Sequence, residues 1–361
     1  MKFVQIFFNK IIIQLFLLII IINFFSCSEN PNGPGEFSFA PPRYNWNIDT
    51  LYSNVYNVVV VDTNSYYSLS NWFYPSLLGY YNNGTITEYN TGFYATTISG
   101  TDENNIYIAG GNFVNENFAY PVLKIFRNGN FFPVDVKGDT LINNYIFCLN
   151  IINNDVWIGT MRGQVMKFNN NHVDYYTLDT SYHVFLISND ILNNLFTFMS
   201  KDIYDSNHIP IRSDYRIYKM ENNIWKLICK FTDDKLFWPY KGIENRIFVS
   251  RYINTYITYE FINGNFTKIL DERNTGIYCV WSGGKSFNDM IIFGIPVNYS
   301  NINDAVFLHH WNGFWASNEL NNDEFLHDNW PCQFQKKFDR YYLVFSFPNQ
   351  HSLLLKGIQK K

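Results

Sequence analysis

A short turn of Asn-Gly or Asn-Asn type, flanked by apolar and aromatic residues, recurs along the chain and constrains its fold more than any other feature. The copies read YYNNGTI, FRNGNFF, KFNNNHV, KMENNIW, FINGNFT and HWNGFWA. With Gly84, Gly129, Asn171, Asn223, Gly264 and Gly313 as markers, the spacings are 45, 42, 52, 41 and 49 residues. Asn-Gly supplies the positive φ angles that a tight hairpin needs, so each marker reads as strand–turn–strand. Most markers have a second hairpin upstream. The clearest copy covers residues 145–179: IFCLNII, a turn at Asn153-Asn154, DVWIGT, a turn at Met161-Arg162-Gly163, QVMKF, the marker, and HVDYYTL. That is four antiparallel strands, the first nearly continuous apolar, as expected of a strand covered on both faces. Nothing after the leader keeps a helical 3.6-residue period for three turns.

Four-stranded units repeating at this period predict an all-β fold, a β-propeller. The six markers plus a final unit, DNWPCQFQKKFDRYYLVFSFPNQHSLLLKG, predict seven blades, with six or eight as the alternatives if the first unit is miscounted. The last unit ends before its outer strand, and YNWNID at residues 44–49 reads as the spare one. Pairing the two ends of the chain would close the ring and leave no open sheet edge.

NNDVWIGTMRGQVMKFN (residues 153–169) resembles the blade motif of bacterial sensor-type propellers, in which a Trp-Ile-Gly-Thr strand precedes a glycine turn. TDENNIYIAGG and SLSNWFYPSLLGYYNNG are weaker copies. The resemblance implies an extracytoplasmic binding domain, and such blades occur in many lipoproteins. Fold analogy alone supplies no activity.

Residues 1–26 read as a secretory signal: two lysines, no acid, and an apolar stretch from Ile11 to Ile22 too short for a bilayer, which needs about 20 residues. Ser26-Cys27 resembles a bacterial lipobox, which implies that Cys27 is acylated; the pattern departs at Phe24 and Phe25. Residues 27–43, rich in Pro, Gly, Ser and Asn, read as a tether, and residues 44–361 as the propeller. The expected location is the bacterial cell envelope, lipid-anchored at the outer membrane, on a side the sequence leaves open.

Composition narrows the chemistry. The net charge of −4 leaves no basic excess for phosphates, so nucleic acid is not an expected partner. No GxSxG, HExxH, Walker or EF-hand pattern is present, and no cofactor or metal is expected. His309-His310 would point to opposite faces of a strand. Aromatics make up 19% of the chain, and most of them are expected to pack between blades. Trp238, Trp281 and Trp330 fall at the innermost strands of the last three blades, beside the channel where propellers bind ligands. Residues 200–214, the longest insertion, read as a loop on the ligand-binding face, with Asp202, Asp205 and Asp214 as ligand-binding candidates. Three functions fit: a non-catalytic propeller binding a protein or glycan, a glycan hydrolase or lyase with a channel-mouth site, and a structural subunit of an envelope assembly.

Overall fold

In the computed structural model, five of the six repeat markers take the backbone that their residues favour, and the sixth, at Gly313, lies outside the described residues. Asn83-Gly84, Asn128-Gly129 and Asn263-Gly264 all have positive φ, and Asn170-Asn171 and Asn222-Asn223 do the same without glycine. The structure describes residues 44–359 apart from 54, 71–73, 116–117, 137–143, 207–209, 234–236, 243–244, 253–255, 272–276, 287–288, 297–305, 312–313, 317–329, 339 and 347–350. Cys27, the leader and the tether lie outside the described residues.

The strands form seven four-stranded antiparallel sheets. Their first strands are Val55–Asp62, Tyr94–Gly100, Ile146–Ile152, His183–Asn189, Phe237–Lys241, Ile277–Ser286 and Trp330–Lys337. In six sheets the four strands pair in chain order. In the seventh the order is Trp330–Lys337, Arg340–Ser346, His351–Gln359 and then Tyr44–Ser53 from the other end of the chain. Each first strand packs against the first strand of the next sheet, and Trp330–Lys337 packs against Val55–Asp62. The sheets therefore follow one another around a central channel.

The core lies between the sheets. Val156, Ile158 and Met166 of the third sheet meet Ala109, Leu123 and Ile125 of the second. Phe196 and Phe198 of the fourth stack edge-on against Phe261 of the fifth, at 4.9 and 5.2 Å. Trp157 meets Trp225 at 87°, 5.9 Å between centroids. Among the described residues, then, much of the aromatic excess is packing between sheets, where large flat side chains fill the space that opens as twisted sheets fan outward. Polar staples add direction: the carboxylate of Asp190, fully buried, accepts from the backbone N–H of Leu192 and Asn194 in its own turn and of Asn263 in the next sheet.

Residues 200–214 differ from the expected loop. The strands Leu195–Tyr204 and Pro210–Glu221 run on as a hairpin, pairing Lys201 with Asp214, Asp202 with Ser213 and Ile203 with Arg212. Two strands in register satisfy their own backbone groups without a core beneath them, so the polar composition did not prevent pairing. A second extended hairpin, Ile106–Asn115 with Phe118–Arg127, belongs to the second sheet. Both project from the end of the ring at which the first strands begin, hereafter the hairpin end.

Candidate functional site

The first strands turn alternate side chains into a channel cavity of about 580 Å³. Its walls carry Asn57, Thr97, Ser99 and Asn150 together with Phe147 and Phe185. The seventh sheet adds Gln333, whose Oε1 accepts from Val58 N–H at 2.6 Å, and Gln335, whose Nε2 donates to the Val58 carbonyl at 3.1 Å. These bonds tie seventh sheet to first and leave the Gln333 amide N–H groups and the Gln335 carbonyl without a protein partner among the described residues.

Lys241, the last residue of the fifth sheet's first strand, reaches across the channel past the fourth sheet. Its ammonium donates to Asn150 Oδ1 at 2.6 Å, and the Asn150 amide nitrogen donates to the Ile187 carbonyl at 2.9 Å. The Lys241 side chain is exposed to the channel, yet many protein atoms crowd around it. That crowding strips part of its hydration and pushes its pKa down to about 8, and no carboxylate among the described residues offsets the loss. Lys337 lies at the same end of the ring, with Nζ donating to the carbonyls of Val60 at 2.5 Å and Thr101 at 2.9 Å.

The depressed pKa has a consequence for stability. The unfolded chain holds this proton with an ordinary lysine pKa near 10.5, so it binds more protons than the folded chain between pH 8 and 10.5. The penalty is complete below about pH 8 and fades as pH rises toward 10.5. Lys241→Met is thus expected to raise the melting temperature at pH 7, by about 1–2 kcal/mol in stability once the exposure of the side chain to the channel is allowed for, with the gain vanishing near pH 10.5. Thermal melts of the two proteins from pH 7 to 10.5 measure it.

The residues singled out from sequence are spread over this frame. Trp238 and Trp330 stand at the beginning of their first strands, at the hairpin end, and Trp281 stands in the middle of its strand. Their side chains lie outside the described residues. The three aspartates do not converge. Asp202 and Asp214 occupy alternate pairing positions of the hairpin and so face opposite sides. Asp202 accepts from Ser213 Oγ at 2.7 Å, Asp214 accepts from Thr232 Oγ1 at 2.5 Å, and Asp205 follows the end of the strand. Among the described residues no three His, Cys, Asp or Glu side chains gather as a metal site.

The hairpin end carries a pair that the sequence did not announce. Ser200 Oγ lies 2.7 Å from His183 Nε2, on paired residues of adjacent strands. Desolvation holds the imidazole below its usual pKa, with Asp202 pulling the other way. No carboxylate among the described residues bonds to the ring, and Ser200 is buried, so the orienting acid of a Ser–His–Asp site is missing. The same end displays large apolar side chains: Tyr74, Val114, Tyr120, Tyr204 and Ile211 are 46–63% exposed. Tyr74 lies on the link between the second and third strands of the first sheet, and the other four lie at the hairpin ends of second and third strands. Tyr74 Oη donates to Asn112 Oδ1 at 3.2 Å, joining the first and second sheets there.

No family profile and no curated protein matches the chain. Solved structures do. A structure titled YCF48 bound to D1 peptide has a TM-score of 0.60 at 9% identity, covering 90% of this chain and all of that one. YCF48 from Cyanidioschyzon merolae gives 0.56 at 11% identity, covering 87% and 98%. The WD40 β-propeller domain of Doa1 gives 0.51 at 9% identity, covering 88% and 98%. The fold is a β-propeller. At these identities the likeness extends to the fold alone, and the propeller's blades are the four-stranded sheets described above.

Proposed function

We propose that the protein is an extracytoplasmic lipoprotein whose propeller binds a protein partner at the hairpin end, without catalysis. One observation carries this reading: five large apolar side chains stand exposed at that end, four of them on the two long hairpins. Large apolar side chains clustered at one end of a ring favour partner contact. The long hairpins of the second and fourth blades flank the third, whose corresponding link is the short turn between Thr160 and Gln164. Val114 and Tyr120 stand on one side of that dip, Tyr204 and Ile211 on the other, a shape suited to an extended segment. A propeller of similar fold, YCF48, has been solved with a bound peptide, which is consistent with this use of the fold. We read Tyr44–Ser53 as the strand that closes a seven-bladed ring, so the platform would be one rigid body.

Affinity capture from envelope extracts, followed by mass spectrometry, tests the reading. A partner retained by the wild type should be lost by Tyr120→Ser/Tyr204→Ser at unchanged melting temperature. An identical capture profile from the two proteins would place binding elsewhere. The lipid is tested separately: a fatty-acid probe should label the wild type and not Cys27→Ala.

A further inference from the structure

We propose that the channel around Lys241 is a second binding site, for a carboxylate group on a small polar molecule. The channel holds a cation without an anion: among the described residues that line it the charged side chains are Lys241 and Lys336, and no Asp or Glu is present. Lys336 sends its ammonium toward the face of Tyr341, 5.7 Å from the ring centroid, which leaves Lys241 as the charge inside. Asn150 takes one of the three ammonium donors, at 2.6 Å, and is itself fixed by the Ile187 carbonyl. Two donors remain for a ligand. An ammonium crowded by protein atoms loses part of its hydration, and an opposite charge offsets that loss. A bound carboxylate supplies that charge through a charge-assisted hydrogen bond.

The surroundings select the ligand class. One lysine, with no arginine among the described lining residues, suits a single negative charge better than a phosphate, which draws on forks or clustered cations. The free Gln333 amide and Gln335 carbonyl, with Ser99 and Thr97, offer donors and acceptors for hydroxyl or amide groups, and Phe147 and Phe185 offer flat apolar wall. The cavity, at about 580 Å³, lies within the range of small-molecule sites, roughly 300–1,000 Å³. A free sugar acid and the end of a peptide chain both present this chemistry. The site is independent of the hairpin-end surface.

The test uses the full chain in nonionic detergent, with its lysine side-chain nitrogens labelled for NMR. Acetate, glucuronate and triglycine are titrated at pH 7 beside their neutral counterparts acetamide, glucose and amidated N-acetyl-triglycine. The expected result is a shift of the Lys241 resonance with the carboxylates and none with the neutral set. Preference for glucuronate identifies a sugar acid, and preference for triglycine a chain end; either supports the site. Lys241→Gln should weaken carboxylate binding about tenfold or more while the protein stays folded. Asn150→Asp, which places a carboxylate beside the ammonium from within, should block the probes even if Lys241→Gln folds poorly. Equal binding of the neutral compounds, undiminished binding by Asn150→Asp, or no binding of any carboxylate at millimolar concentration would overturn the proposal.

Discussion

Deleting Tyr44–Ser53 is expected to lower the melting temperature by about 15 °C or more, or to prevent folding altogether. The strand pairs along its length with His351–Gln359, from Tyr44 opposite Gln359 to Ser53 opposite His351. Its side chains join two sheets. Leu51, 2% exposed, packs in one cluster with Val55, Val58 and Val60 of the first sheet and Tyr342, Val344 and Leu354 of the seventh. Asp49 pairs with Lys356 at 2.7 Å and accepts from Tyr66 Oη at 3.0 Å. The Trp46 ring covers Gly357 so closely that a Cβ there would lie 2.7 Å from it. Losing a buried leucine side chain costs about 2–5 kcal/mol, and each backbone hydrogen bond contributes about 0.5–1.5 kcal/mol net. Together these approach the 5–15 kcal/mol total of an ordinary domain, at roughly 2–4 °C per kcal/mol. A chain that starts at residue 44 is the control and should melt with the wild type. Equal melting temperatures for the two truncations would mean that this strand does not hold the ring together.

The parts legible in the sequence are those written locally. Asn-Gly turns, apolar first strands and the period between them each depend on residues within one blade, and YNWNID could be matched to the gap in the last unit by pattern alone. The extended hairpin at 200–214 reads as a loop in the sequence because it is an insertion between two strands; pairing there draws on backbone groups, which composition does not report. The channel site left no local signal. Lys241 sits in an ordinary stretch, YKGIEN, and acquires its character only when the ring brings it to Asn150, 91 residues earlier. Ser200 and His183 likewise meet through strand pairing. The tryptophans lie in first strands, as their position in the repeat predicts, whereas the charge that distinguishes the channel belongs to a residue no spacing rule selects.

The glycine of the Trp-Ile-Gly-Thr strand should prove among the least replaceable residues in the chain. A Cβ on Gly159 would lie 2.3 Å from Val184 Cγ1, 2.7 Å from Val184 Cβ and 2.7 Å from Cys148 Sγ. Val184 begins the inner wall of the next blade and is fully buried, and Cys148 faces Gly159 across its own sheet. Both neighbours are fixed by strand pairing, and the β-branched valine has little rotamer freedom with which to retreat. The chain must therefore push two blades apart to admit even one methyl group. Gly159→Val is expected to cost about 3 kcal/mol or more, a fall of roughly 6–12 °C in melting temperature, by overpacking. Removing the obstacle discriminates this cause from a loss of backbone freedom. Val184→Ala alone opens a cavity and destabilises. Combined with Gly159→Ala it should cost less than the sum of the two single changes, by about 1 kcal/mol, because the nearest obstacle, Val184 Cγ1 at 2.3 Å, is gone while Val184 Cβ and Cys148 Sγ stay at 2.7 Å. Denaturant unfolding of the four proteins in that cycle measures the coupling. Strict additivity would show that the Val184 Cγ1 contact is not what excludes a side chain at Gly159.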